Sequence, residues 1–202
     1  MKKIKLFDVS TDKKINNQFL KEVQNLTETN DWIIGEDVFK FENNFSKYLN
    51  VNKSVSVNSG TDALEISLRA FGIGANDKVI VPALSFFATS EAVLKVGAIP
   101  IYSDISLKDL NIDINSVKDM IDDKTKAIIP VHLFGNPANM KEIKEFAEKH
   151  NLVIIEDVAQ AFGSSYEEDK LGSIGNVGCF SFYPTKNLGA YGDGGCVSTN
   201  DE

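Results

Sequence analysis

Arginine is almost absent from this chain: Arg69 is the only one. Proteins that read nucleic-acid bases lean on arginine's planar fork, and they need a positive field to displace counterions from phosphate. Here 21 Lys+Arg face 29 Asp+Glu, a formal net charge of -8. No basic run offsets that balance, so no nucleic-acid partner is expected. Cysteine is scarce too. Cys179 and Cys196 both stand in apolar, strand-like surroundings, which suits free buried thiols in a reducing cytosol and not a disulfide scaffold. The two histidines, His132 and His150, have no cysteine and no second histidine at ligand spacing, so no metal site is expected. No stretch approaches the ~20 apolar residues of a membrane helix. The opening MKKIKLFDVS carries lysines, but no apolar run of about 7–15 residues follows, so no signal peptide is read and a cytoplasmic location is expected. A Gly-x-Ser-x-Gly elbow and a Walker-type phosphate loop are both missing.

What is present is an ordinary globular composition. Of 202 residues, 43% are hydrophobic and 25% charged, and 13 are Phe, enough to bury a core without metal or disulfide staples. Ile15, Phe19, Val23 and Leu26 recur at helical spacing, and Asp12 suits the cap of a helix over 13–29. After the link Trp32-Ile33-Ile34-Gly35 a second helix is expected over 36–48, with Val38, Phe41 and Phe45 inward. From there the pattern changes. Short apolar runs at 54–57, 78–81, 99–103, 127–131, 152–156, 178–182 and 195–199 predict strands. Helices fit at 62–70, 87–95, 116–121 and 140–150. Such alternation predicts an α/β fold, a mostly parallel sheet of seven strands covered by helices on both faces. The last two strands leave no room for a helix between them, so one of them is expected to run antiparallel.

Ligands of such sheets gather at the carboxyl ends of the strands. Asn58-Ser59-Gly60-Thr61-Asp62 joins a strand to a helix there. Exposed N–H groups and the helix dipole suit that junction to a phosphate; simple N-capping is the other reading. Gly72-Ile73-Gly74 follows a helix and reads as its stop. Ser85-Phe86 comes after the second strand. Asp157 follows the apolar run that ends in Glu156, and Gln160 stands within one helical turn of it. Asp157 is either a cap or the counter-ion of a cationic ring nitrogen, because an unpaired buried charge is costly. Lys186 lies between the apolar run 178–182 and the glycine-rich stretch 189–195. Most lysines are solvated surface charges, but one set among strand ends and small residues can act as a nucleophile on a carbonyl.

Taken together, these pieces resemble the DegT/DnrJ/EryC1/StrS family of pyridoxal-phosphate (PLP)-dependent nucleotide-sugar aminotransferases. The resemblance runs from about residue 4 to residue 201. Gly35-Glu36-Asp37-Val38, Ser59-Gly60-Thr61-Asp62-Ala63-Leu64 and Val79-Ile80-Val81-Pro82 carry its first half. Ile128-Ile129-Pro130-Val131-His132-Leu133, Ile155-Glu156-Asp157-Val158-Ala159-Gln160 and the stretch 180–195 carry the second. Each piece is weak alone; their joint order and spacing is specific.

The resemblance implies the large domain of a fold type I PLP-dependent transferase over residues 51–202, led in by a helical segment over 1–50. It implies that Lys186 forms the internal aldimine, that Asp157 pairs with the pyridinium nitrogen, and that Gln160 contacts the ring hydroxyl. Gly60, Thr61 and Ser181 are implied to hold the phosphate, and Phe86 to stack on the ring. The implied partners are an amino-acid donor, usually glutamate, a nucleotide-linked ketosugar and a second copy of the chain in a homodimer. Family members that act as sugar dehydratases carry histidine in place of the lysine, and Lys186 argues against that branch. Many relatives have histidine where this chain has Phe162, which is given no catalytic role. Relatives also carry a C-terminal small domain, and this sequence ends just after the seventh expected strand. The expectation is therefore of a shortened chain. A second reading is a non-catalytic fragment of such an enzyme that binds the cofactor or dimerises. A generic dinucleotide binder stands third, since Gly-x-Gly-x-x-Gly does not follow the first strand.

Overall fold

Two helices lead into the chain. α1 (Lys13–Thr29) starts where expected, the Asp12 carboxylate accepting the Lys14 N–H at 2.6 Å. The described residues cover its apolar stripe only in part: no residue of α1 is buried, Ile15 is 56% exposed and Phe19 38%, while Val23 and Leu26 are half-buried. The Phe19 ring stacks on Tyr191 with centroids 4.0 Å apart. α2 (Glu36–Leu49) is capped from outside, Asp31 accepting the Glu36 N–H at 3.0 Å, and Glu36 and Asp37 in its first turn complement the dipole. It buries Phe45 and Leu49. These coordinates, a computed structural model, describe Val9 and residues 12–201. The opening decapeptide read for a leader, Val9 apart, and the start of the family resemblance at residue 4 lie outside the described residues.

The alternation then builds a sheet. Its first five strands are β1 (Lys53–Val57), β2 (Lys78–Pro82), β3 (Ile99–Ser103), β4 (Thr125–Ile128) and β5 (Val153–Asp157). A separate hairpin follows, β6 (Ser165–Tyr166) with β7 (Asp169–Lys170), and then β8 (Val177–Ser181) and β9 (Gly195–Thr199) complete the sheet. The order is β1-β9-β8-β5-β4-β2-β3. β9 runs antiparallel to both β1 and β8, and the other neighbours are parallel. The seven-stranded, mostly parallel α/β fold is therefore the one expected, and the antiparallel member is β9.

Two expectations are corrected, and one element is additional to those expected. The segment 116–121 is not an α-helix but part of a 3-10 helix, Ile114–Met120, whose start is held by Asp113 accepting the Asn115 N–H at 2.9 Å. Short polar side chains there bond the backbone locally and compete with an α-helical ladder. The strand expected over 127–131 leaves the regular ladder at Ile128. Pro130 has no N–H to donate, and what continues is one bridge between Val131 and Asp157. The β6–β7 hairpin was not expected, since strands of two residues show no alternation.

Pleating splits the core. Val79, Val81, Ile129, Ile155 and Cys179 pack under α3 (Gly60–Ala70) and α4 (Ala88–Lys95). Ile80, Ile128 and Ile154 pack against Met140, Ile143 and Phe146 of α5 (Met140–His150) on the other face. Phe180 and Phe182 meet Phe45 and Leu49 of α2, and Phe162 stacks on Phe45 and Tyr48 in the same aromatic group. Ile128 is fully buried at the sheet centre. Ile128→Ala is expected to cost roughly 2–5 kcal/mol, lost transfer energy plus the cavity left behind; urea unfolding would read it as a lower midpoint at an unchanged slope.

Candidate active site

At the carboxyl ends of β1, β2, β5 and β8 the chain encloses a cavity of about 560 Å³, where an open α/β sheet places its ligands. The β1–α3 junction forms one wall. Ser59 is the N-cap of α3, its hydroxyl accepting the Asp62 N–H at 3.0 Å. Gly60 and Thr61 open the helix and line the cavity; first-turn N–H groups have no intrahelical carbonyl to bond. Both sequence readings of this motif therefore apply, capping by Ser59 and an anion-suited helix start beside it. A Cβ at Gly60 would sit 2.7 Å from the Ser181 Cβ, so glycine lets the first turn of α3 press against the end of β8. Ser181 closes that side of the cavity. Gly72-Ile73-Gly74 lies elsewhere and ends α3, with Gly72 at φ +70 and the Ile73 N–H bonding the Leu68 carbonyl at 3.0 Å.

The pleat sends two adjacent carboxylates to opposite faces of the sheet. Asp157, at the end of β5, is buried and lines the cavity on the α4 side. Its Oδ2 accepts the Thr89 hydroxyl at 2.9 Å and its Oδ1 the Ala159 N–H at 3.1 Å. Burial pushes its carboxyl above the usual aspartate range, against the pull of the Ala159 and Thr89 hydrogen bonds. Glu156 is fully buried on the other face. Its Oε1 accepts the N–H groups of Ile174 (2.8 Å) and Gly175 (2.7 Å), and its Oε2 accepts that of Gly172 (2.9 Å) and the His132 ring (3.1 Å). His132 Nδ1 accepts the Ala138 N–H at 3.1 Å, so the ring carries its proton on Nε2 and donates it to Glu156.

Lys186 stands on the loop from β8 to β9. The loop is pinned at its base, where Phe182 N–H bonds the Gly194 carbonyl (2.8 Å) and Ala190 N–H the Phe182 carbonyl (2.7 Å). Lys186 is half-buried and lines the cavity. Gln160 lines it too, its Oε1 accepting the Phe134 N–H at 3.2 Å. Phe86 stands at the mouth, 61% exposed, its ring 4.8 Å from that of Phe87. Every site residue singled out from the sequence thus lines this one cavity. The sequence reading missed Thr89, the buried hydroxyl on Asp157, and the anchoring of Glu156. The signal for Thr89 was its place four residues after Ser85, one helical turn away.

Known proteins share this arrangement of elements. NtdA from Bacillus subtilis, solved with bound PMP cofactor, superposes with a TM-score of 0.89 at 34% identity, covering 96% of this chain and 43% of that one. DesV of S. venezuelae, solved in complex with a ketimine intermediate, superposes with a TM-score of 0.89 at 39% identity, covering 93% of this chain and 51% of that one. Among curated proteins, the UDP-N-acetyl-3-dehydro-alpha-D-glucosamine 3-aminotransferase of Acidithiobacillus ferrooxidans is 44% identical over 187 residues, 93% of this chain and 51% of that protein. The chain spans about half the length of the curated relatives it matches. The model of the DegT/DnrJ/EryC1/StrS aminotransferase family matches residues 13–202. By that match over nearly the whole sequence, and by the fold it shares with these aminotransferases, the chain belongs to the DegT/DnrJ/EryC1/StrS family.

Proposed function

We propose that this chain carries the cofactor-binding part of a PLP-dependent aminotransferase that moves an amino group from L-glutamate to a nucleotide-linked ketosugar. Residues 51–202 form the cofactor-binding unit in this reading. The observation that carries it is the meeting of one lysine, one buried carboxylate and one glycine-opened helix start in a single cavity. The residues fit the group. Asp157 is desolvated and its carboxyl is pushed up, so its ionised form calls for a cation, such as a protonated ring nitrogen. Gly60 leaves room beside Ser181 where a side chain would clash, and the N-terminus of α3 suits a phosphate dianion.

Bound there, PLP would supply the electron sink that stabilises negative charge at the substrate carbon. The chain's own residues do the rest. Lys186 Nζ would hold the cofactor at its aldehyde carbon, and its free amine would take up and return the proton that moves at the substrate carbon. Asp157 holds the proton on the ring nitrogen. Gln160 orients the ring through its hydroxyl, and Phe86 covers a ring face. Gly60 and Thr61 fix the phosphate with Ser181. The amino donor and the ketosugar would occupy the same cavity in turn, with Lys186 moving the proton for each, and a homodimer in the cytoplasm completes this reading.

An absorbance titration of the chain with PLP, beside Lys186→Ala, tests it. The expected result is a visible band in the wild type, absent in the variant and bleached by glutamate. A chain that gives no lysine-dependent band is not a PLP enzyme on its own. The homodimer is a separate expectation: sedimentation should give twice the 22.2 kDa chain mass, with the half-exposed apolar stripe of α1 as one surface available for burial.

A further inference from the structure

We propose that the hydroxyl pair Ser85–Thr89 is a positioning device for Asp157, fixing its carboxylate from the α4 side so that the remaining lone pairs serve the cavity. The inference rests on the cofactor reading above and adds two residues to it. Thr89 is buried on α4 and bonds Asp157 Oδ2 at 2.9 Å; Ser85 Oγ stands 2.8 Å from Thr89 Oγ1. A threonine has one hydroxyl proton. With Asp157 ionised, that proton goes to the carboxylate, so Ser85 must donate to Thr89. The two hydroxyls then form a directed chain, Ser85 to Thr89 to Asp157, in which each bond polarises the next.

This is not the usual employment of a helical threonine, whose hydroxyl commonly bonds the carbonyl four residues back. Here the hydroxyl leaves its helix for a side chain 68 residues away in sequence. The same turn carries Phe86 between the two hydroxyls, so one segment sets both the ring-covering aromatic and the counter-ion. Asp157 Oδ1 is held independently by the Ala159 N–H. Each carboxylate oxygen thus has one protein donor, and a second acceptor position is left on each. The ionisable groups around Asp157 are Glu156 on its own strand, His132 after β4, Cys179 on β8 and Lys186 on the loop beyond β8; none of them is altered by changes on α4.

Three variants test the device: Thr89→Val, which keeps the volume and removes the hydroxyl; Thr89→Ser, which keeps the hydroxyl and removes a methyl; and Ser85→Ala. Two readouts apply, the ¹³C titration of the Asp157 carboxyl in the cofactor-free chain and PLP dissociation followed by absorbance. Thr89→Val is expected to raise the titration midpoint of Asp157 and weaken PLP by about 10- to 100-fold, the loss of one hydrogen bond to a charged group. Thr89→Ser should stay near wild type, and Ser85→Ala should move both readouts in the direction of Thr89→Val by a smaller factor. A packing role predicts the reverse order, Thr89→Ser the worse and Thr89→Val silent, and that order overturns the proposal. So does a Thr89→Val chain that folds and matches wild type in both readouts. If wild type binds no PLP while Thr89→Val still shifts the Asp157 titration, the cofactor reading has failed and the positioning of the carboxylate stands.

Discussion

Asp157→Asn is expected to lower amino transfer by the PLP-loaded chain about 10- to 1,000-fold at neutral pH, since an opposite charge in contact holds a titrating group by about 1–3 pKa units. Asparagine fits the same space. Its oxygen can accept the Ala159 N–H, and its amide can donate to Thr89, whose own proton then turns to Ser85. What is lost is the negative charge beside the ring nitrogen, and with it the protonated ring that accepts electrons. Single-turnover rates with glutamate would show the loss in the chemical step, while PLP binding through Lys186 and the α3 start persists in part. A rate within threefold of wild type would remove Asp157 from the role of counter-ion.

The same substitution should act in the opposite direction on the cofactor-free fold. Burial raises the Asp157 carboxyl above the ordinary aspartate value of 3.8. A group shifted in that sense contributes fully to stability below its unfolded value, and the contribution is lost as pH rises through the folded value. Cofactor-free Asp157→Asn should therefore be more stable than wild type at neutral pH, and the advantage should vanish as pH falls towards 3.8. Added PLP reverses the order, because ligand that binds only the folded state stabilises the chain that binds it better. Melting curves at several pH values, with and without PLP, read all three comparisons. A carboxylate that costs stability empty and repays it loaded is a functional group, not a cap.

Glu156→Ala is expected to be the most damaging single change to the fold. It strands three backbone N–H groups, of Gly172, Ile174 and Gly175, and the His132 Nε2–H, all held by one carboxylate. Removing one side of a buried charged network costs about 3–5 kcal/mol, a large part of the roughly 5–15 kcal/mol of a typical domain. Glu156→Gln keeps the shape but can accept on one side only. Its amide nitrogen would face either the Ile174–Gly175 pair or the His132–Gly172 pair. Tautomer exchange offers no rescue, because the Ala138 N–H requires His132 Nδ1 to stay an acceptor. The expected order in urea is wild type, then Gln, then Ala; a Gln variant equal to wild type would mean that the network does not anchor residues 172–175.

Much of this was legible along the chain. Lys78–Pro82 and Val153–Asp157 announce themselves as apolar runs, because central parallel strands are covered on both faces. Ser59 before Gly60-Thr61-Asp62 marks a helix start by capping chemistry that is local to five residues. The glycine-rich stretch around Lys186 and the spacing of Asp157 from Gln160 are local as well. Where the reading failed, something other than apolar periodicity decided the structure. Residues 116–121 have helical periodicity, but Asp113 and Ser116 bond the backbone into a tighter turn. The apolar stripe of α1 was legible as a stripe, yet among the described residues its cover is partial: Phe19 stacks on Tyr191, and no residue of the helix is buried.

The sequence by itself determined the element order, the strand-and-helix alternation and the residue types at the strand ends, because these follow from periodicity and caps within a few residues. It could not determine that β9 is the antiparallel strand, which of Glu156 and Asp157 faces the cavity, or that Thr89 reaches Asp157. Those depend on which strands become neighbours and on what packs over them, and neighbours 68 residues apart in the chain are chosen only when the whole sheet closes its core.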